Sequence, residues 1–203
     1  MRHAQLFQVS YLRYVCFASY QSLITTKHHS KVMDERQFLN ACKNGDITVA
    51  RDLLEQGVNV ESMDEAGRSA LNWASWKGHT DIVHLLLGYK ADVNAKGVFG
   101  QTALHMASEK GFTGIVSALL EGGADVNGCN NGGRTALHRA SNRGHVDIIR
   151  ILLDKGANIS VKDNDAESAL DIAKRHDTTD IIQLLESSLQ AKVLSFGQVH
   201  LGH

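Results

Sequence analysis

The residues with chemistry to offer are eleven histidines, three cysteines and two tryptophans within 203 residues. Their spacing argues against catalysis. No HExxH, GxSxG, GxxxxGK[ST] or GxGxxG pattern occurs, so zinc hydrolysis, a serine nucleophile, a P-loop and dinucleotide binding all lack their residue sets. His28 and His29 form an isolated pair, half of the four groups zinc normally takes. Cys16, Cys42 and Cys129 share no CxxC spacing, which fits free thiols in a reducing, intracellular compartment, with Cys42 packed as a small hydrophobe. The run Gly128-Cys129-Asn130-Asn131-Gly132-Gly133 has the composition of a phosphate loop, but its glycines fall where a turn requires them. His105 and His138 occupy the same place in a recurring pattern, which suits a bracing role between neighbouring units better than metal binding.

That pattern has a period of 33 residues. Gly45, Gly78, Gly111 and Gly144 keep it, as do the leucine pairs 53/54, 86/87, 119/120 and 152/153. Within each period Ser69, Thr102, Thr135 and Ser168 stand as N-caps before a helix. Its small apolar stripe recurs as Ala70, Leu71, Ala74, then Ala103, Leu104, Ala107, then Ala136, Leu137, Ala140, and glycine ends it. A second helix places Ile82, Val83, Leu86 and Leu87 on one face, matched by Ile115, Val116, Leu119, Leu120 and by Ile148, Ile149, Leu152, Leu153. That face is expected to be core, with both leucines of each pair inside. An extended segment then leads into a turn on Gly67, Gly100 or Gly133. Each unit is therefore helix, turn, helix and projecting hairpin.

Gly-x-Thr-x-Leu-His-x-Ala followed by Gly-His, Leu-Leu and Gly-Ala-Asp-Val-Asn resembles the ankyrin repeat, with Thr102 to His105 and Thr135 to His138 as its closest matches. The resemblance covers residues 34 to 190 and implies an all-α solenoid of about five helix-turn-helix units with projecting hairpin loops. The expected repeats lie near 34–63, 64–96, 97–129, 130–162 and 163–190. Alanine stands at 70, 103, 136 and 169, where the family usually has proline, and this should weaken each unit without altering the architecture.

Residues 1–33 carry Arg2, Arg13, Lys27 and Lys31 and no acid. They read as an irregular basic leader, either a disordered extension, sequence upstream of a start at Met33, or a transit peptide. The run Tyr11 to Ala18 is too short and too charged to span a membrane. Residues 191–203 show no period and read as a frayed tail. In the fifth unit Lys174-Arg175-His176-Asp177 replaces Ser-x-x-Gly, as a polar closing cap would.

Function must then lie in exposed positions that vary between units. The resemblance implies that partners meet the first helices and the hairpin tips. Trp73, Met106 and Arg139 share one such position; Trp76, Glu109 and Asn142 share the next; Lys77, Lys110 and Arg143 follow. Arg68, Gln101 and Arg134 add to the tips, with Phe99 beside them. Trp73, Trp76 and Phe99 are expected to form an apolar anchor. Arg68, Lys77, Lys110, Arg134, Arg139 and Arg143 form a basic series, opposed mainly by Glu65 and Glu109, that suits an acidic segment of a partner protein.

The reading is a non-catalytic scaffold or adaptor that binds another protein through its concave face and hairpin tips. It takes no cofactor, metal or small-molecule substrate. The alternative is a regulatory or substrate-positioning subunit of an enzyme complex. Nucleic acid is disfavoured by a net charge of −1. The expected location is the cytoplasm, with the nucleus, and organelle targeting by residues 1–33, left open. Asn94 and Asn127 read first as turn residues; they also resemble asparagines that are hydroxylated in ankyrin repeats, which makes them candidate hydroxylation positions.

Overall fold

The computed structural model describes residues 33–199, and the side chains of residues 33–191. The expected leader, apart from Met33, lies outside the described residues. Helix α1 spans 33–44, and α2 spans Ile47–Glu55. The units that follow are α3 (Ala70–Lys77) with α4 (Thr80–Gly88), and α5 (Ala103–Lys110) with α6 (Thr113–Glu121). Then come α7 (Ala136–Arg143) with α8 (Val146–Asp154), and α9 (Ala169–Arg175) with α10 (Thr179–Val199). First helices stack on first helices, from α3 through α9, and second helices stack on second helices, from α2 through α10. Two helical layers result, with hairpins projecting from the junctions between units.

Each first helix starts and stops for local reasons. Ser69 and Ser168 are extended, and their Oγ atoms accept the N–H groups of Asn72 and Asp171 at 3.2 Å. Thr102 and Thr135 take the same place, so Ala70, Ala103, Ala136 and Ala169 are the first helical residues, as the caps require. At the other end Gly78, Gly111 and Gly144 adopt φ of 84°, 85° and 77°. Glycine reaches this left-handed region without a Cβ penalty. A second reason holds at Gly78 and Gly111: a Cβ there would come within 2.7 Å of the Phe112 ring and 2.8 Å of the His145 ring. Rings of the following unit are seated on those glycines.

The core runs the length of the stack as one cluster. It corrects one expectation about the leucine pairs. Leu86, Leu119 and Leu152 are wholly buried, whereas Leu87, Leu120 and Leu153 are only half-buried at the boundary between second helices. With 100° of turn per residue the second leucine of these three pairs falls toward the edge of the buried face, whereas Leu53 and Leu54 of the first unit are both inside, at 6% exposed each. In the fifth unit α10 continues past residue 190 to Val199, so the boundary expected there falls inside a helix.

Units are stitched by side chains that reach the next unit's backbone. His105 Nε2 lies 2.8 Å from the Arg134 carbonyl, and His138 Nε2 lies 3.2 Å from that of Glu167. A carbonyl only accepts, so Nε2 carries the proton and Nδ1 is free to accept from the Thr102 or Thr135 N–H, closing a capping box. At the far edge Glu61, Asn94 and Asn127 accept the N–H groups of Asp92, Asp125 and Asn158 at 2.7, 2.8 and 2.7 Å. The amides of Asn94 and Asn127 also donate to Gly123 and Gly156.

Two outcomes follow for stability. Leu119→Ala should cost ~2–5 kcal/mol and Leu120→Ala about 1 kcal/mol, read from chemical denaturation, with exchange protection lost first in adjoining units. The second concerns acid. Burial pushes His105 down from 6.5 to about 4, and burial also lowers His138. The unfolded chain therefore binds protons first. Stability is intact above about pH 6.5 and falls by on the order of 3 kcal/mol as pH drops to about 4, from His105 alone. His105→Gln should flatten that slope in denaturation curves taken across the interval.

Candidate binding surface

The expected site residues lie along the first helices and hairpins, but their environments differ sharply. Trp73 is half-buried and committed to its own unit. Its indole N–H donates to Asp64 Oδ2 at 3.0 Å, and its ring lies under the Arg68 guanidinium at 4.1 Å and the Lys43 ammonium at 4.5 Å. Asp64 is the hub of that hairpin. Its Oδ1 accepts from Ala66 and Arg68 N–H, and its Oδ2 also takes Arg68 Nε at 2.8 Å. Burial pushes the Asp64 carboxyl up, but these donors together hold it below its ordinary value. Trp76 is half-buried as well, with the Lys110 ammonium 3.8 Å from its ring centroid.

Met106 was expected on the surface and is instead 7% exposed. It forms part of a cleft with Trp73, Trp76, Val98, Phe99, Gln101, Asn72 and Arg68, about 270 Å³ in volume. Phe99 is 71% exposed on the rim. The residues expected as an apolar anchor therefore line a cleft between neighbouring units rather than a protruding patch.

The basic series is corrected further. Arg68 pairs with Asp64, and Arg134 pairs with Asp163 at 2.8 Å and Asp165 at 3.1 Å. Arg139 and Arg143 converge on Glu109, at 3.4 and 2.8 Å. Four of the six cations are thus answered by acids of this chain, and no continuous free basic stripe exists. Lys77 and Lys110 have no such acid partner among the described residues. Asn142 Oδ1 lies 3.1 Å from His176 Nε2 of the fifth unit. Asn94 and Asn127 are exposed, and each bridges to the following unit as described above.

The cleft has a cause that the sequence reading missed. Where the third and fourth units have His105 and His138, the second has Asn72, whose Nδ2 donates to the Gln101 carbonyl at 3.2 Å. Asparagine is shorter, so the next hairpin must approach more closely. Gly97 makes this possible, because a Cβ there would lie 2.6 Å from Asn72 Nδ2. The equivalent positions in other hairpins hold Asp64, Asn130 and Asp163, whose Oδ1 atoms accept two backbone N–H groups and fix the turn. Gly97 has no such acceptor. The turn Val98–Gly100 then differs from its neighbours, and Phe99 takes a left-handed φ of 57°. Non-glycine residues pay for that conformation. The signal was present in two columns of the repeat, as His-to-Asn and Asp/Asn-to-Gly exchanges in adjacent units.

Asn72 and Gly97 should therefore be coupled. Gly97→Asn alone should destabilise by steric conflict, and Asn72→His should relieve it, giving a coupling of at least ~0.5 kcal/mol in a double-mutant cycle read by denaturation. Additive effects would show the two positions to be independent.

Comparison with known proteins agrees with this architecture. A family model for ankyrin repeats (3 copies) matches residues 17–97, 96–163 and 133–194. Osteoclast-stimulating factor 1 of Monopterus albus is 43% identical over 47 residues, 23% of this chain and 22% of that protein. Its Xenopus laevis counterpart is 43% identical over 47 residues, again 23% of this chain and 22% of that protein. An ankyrin repeat protein of Fowlpox virus (strain NVSL) is 32% identical over 76 residues, 37% of this chain and 11% of that protein. The matched stretch thus spans about a fifth or less of these relatives. No described helix is long and apolar enough to cross a membrane. With its matched repeats, stacked helix pairs and cross-unit histidine bonds, the chain belongs to the ankyrin-repeat family.

Proposed function

We propose that this chain is a non-catalytic adaptor that grips one partner protein across its first helices and hairpins, with the cleft of Trp76, Met106 and Phe99 as apolar anchor. Ankyrin repeats generally mediate protein–protein interaction. The observation that supports a particular site here is the departure of the third hairpin. Phe99 is held exposed in a strained conformation beside an apolar cleft, whereas hairpins two, four and five are closed by their Asx acceptors. Ala166 of the fifth hairpin also has a left-handed φ, of 61°, but stands where other hairpins have Gly67, Gly100 and Gly133, whereas Phe99 combines such a φ with exposure beside an apolar cleft.

Electrostatics has a smaller part than the basic composition implied. Lys77 and Lys110 would steer an acidic partner, while Arg68, Arg134 and Arg143 are paired with internal acids and Arg139 is held more loosely, 3.4 Å from Glu109. A preformed surface loses little entropy on binding, so a modest contact area suffices.

The test uses the full chain as bait, with and without nuclease, followed by affinity measurement on the captured protein. Trp76→Ala should weaken binding by at least ~2 kcal/mol while the melting temperature stays within a few degrees. Capture that disappears with nuclease would end the proposal. So would a Trp76→Ala protein that binds normally.

A further inference from the structure

Phe99 stands between two clefts of opposite character. On one side lies the apolar cleft over Met106 and Trp76. On the other, a cleft of about 430 Å³ opens among the hairpins of the third, fourth and fifth units, lined by the amides of Gln101, Asn131 and Asn164, by Arg134 and Arg139, and by Asp165, whose carboxylate is taken by Arg134 at 3.1 Å. The two share Phe99 and Gln101 as a common wall.

Arg139 is the unusual group in the polar cleft. Its side chain is 19% exposed, and its nearest carboxylate oxygen, on Glu109, is 3.4 Å away. A charge-assisted N–H···O bond is nearer 2.7–2.9 Å, roughly the distance at which Arg143 holds the other oxygen of Glu109. Arg139 Nε is buried and has no hydrogen-bond partner among the described residues. Arg134, by contrast, gives two short bonds to Asp163 and Asp165. A guanidinium largely withdrawn from water and held by its own acid only at 3.4 Å is undercompensated; Nε is sealed from solvent, so a carboxylate in the cleft would pair with the part of the group that remains exposed.

The spacing of the two clefts sets the ligand. Stacked helices lie about 8–10 Å apart, and an extended chain advances about 3.3 Å per residue, so one unit corresponds to about three residues. We infer that the partner contributes an extended segment with a bulky apolar side chain and, about three residues away, a carboxylate. The apolar group fills the Trp76 cleft, the backbone crosses Phe99, and the carboxylate completes Arg139. This inference rests on the binding surface proposed above and adds the chemical identity of what it takes. It also accounts for Phe99: a ring held out from the hairpin gives the crossing backbone an apolar ledge, and its own carbonyl is already fixed by Asn131 N–H at 2.9 Å.

The test selects displayed random dodecapeptides on the full chain. The enriched sequences are then synthesised with each acid intact and with each acid changed to its amide. Enriched peptides should pair a large apolar residue with Asp or Glu two to four positions away. Arg139→Gln should weaken the acid-bearing peptide about tenfold or more and leave the amide version unchanged, with Arg139→Lys intermediate because it keeps charge but loses the fork. Trp76→Ala should weaken both versions, and thermal melts confirm that each variant is folded. Equal weakening of acid and amide peptides by Arg139→Gln would overturn this inference while leaving the apolar anchor standing. Binding indifferent to Trp76→Ala would overturn the anchor as well. Absence of any enriched sequence would rule out recognition of a short extended segment but not of a folded partner.

Discussion

Cohesion in this stack depends on one kind of bond, from the third residue of a first helix to a carbonyl in the next hairpin. At His105 and His138 a single ring does two jobs: Nδ1 completes the cap of its own helix and Nε2–H closes the boundary with the next unit. Backbone groups sealed between units need partners, and these rings supply them where no sheet is available to do so. The arrangement requires neutral imidazole. Burial keeps it neutral, which ties cohesion of the middle units to pH. At the outer edge of the first three boundaries, Glu61, Asn94 and Asn127 give a parallel row of side-chain-to-backbone bonds. The boundaries between the second and third and the third and fourth units carry both rows, and no bond of either row skips a unit.

The candidate site arises where this bond is made differently. Asn72 preserves the contact but draws the neighbouring hairpin in, and Gly97 admits it. Losing the acceptor at position 97 then frees the turn, and Phe99 is turned outward. A packing compromise at one boundary thus becomes an exposed aromatic next to a cleft. The same first-helix position changes from Trp73 to Met106 to Arg139 over three units, so the surface passes from aromatic to aliphatic to cationic along the stack.

What was legible in the sequence was whatever recurs with the 33-residue period. Caps at Ser69, Thr102, Thr135 and Ser168, helix ends at Gly78, Gly111 and Gly144, and the bracing role of His105 and His138 all follow from residue type and period. What was not legible depends on pairings made in one unit and not repeated in the others. The pairing of Arg134 with Asp163, and of Arg143 with Glu109, crosses a unit boundary, and composition cannot distinguish a paired arginine from a free one. Met106 was misplaced for the same reason: its position is exposed in isolation and becomes covered once neighbouring units stack on it. Trp73 illustrates both sides, since its place on the first helix was correct but its commitment to Asp64 arises from a hairpin contact nine residues back.

The internal pairing also decides how this surface can discriminate among partners. With Arg68, Arg134 and Arg143 tied to nearby acids, long-range attraction is weak and a merely acidic chain gains little by approaching. Discrimination must then come from short-range fit, where an unpaired buried donor is most demanding, because desolvation magnifies both the reward for the right acceptor and the cost of a wrong one. Arg139 meets that description and Lys77, fully in solvent, does not. On the proposed surface Lys77 and Lys110 would therefore set how fast a partner arrives, and the nearly hidden Arg139 would set which partner stays.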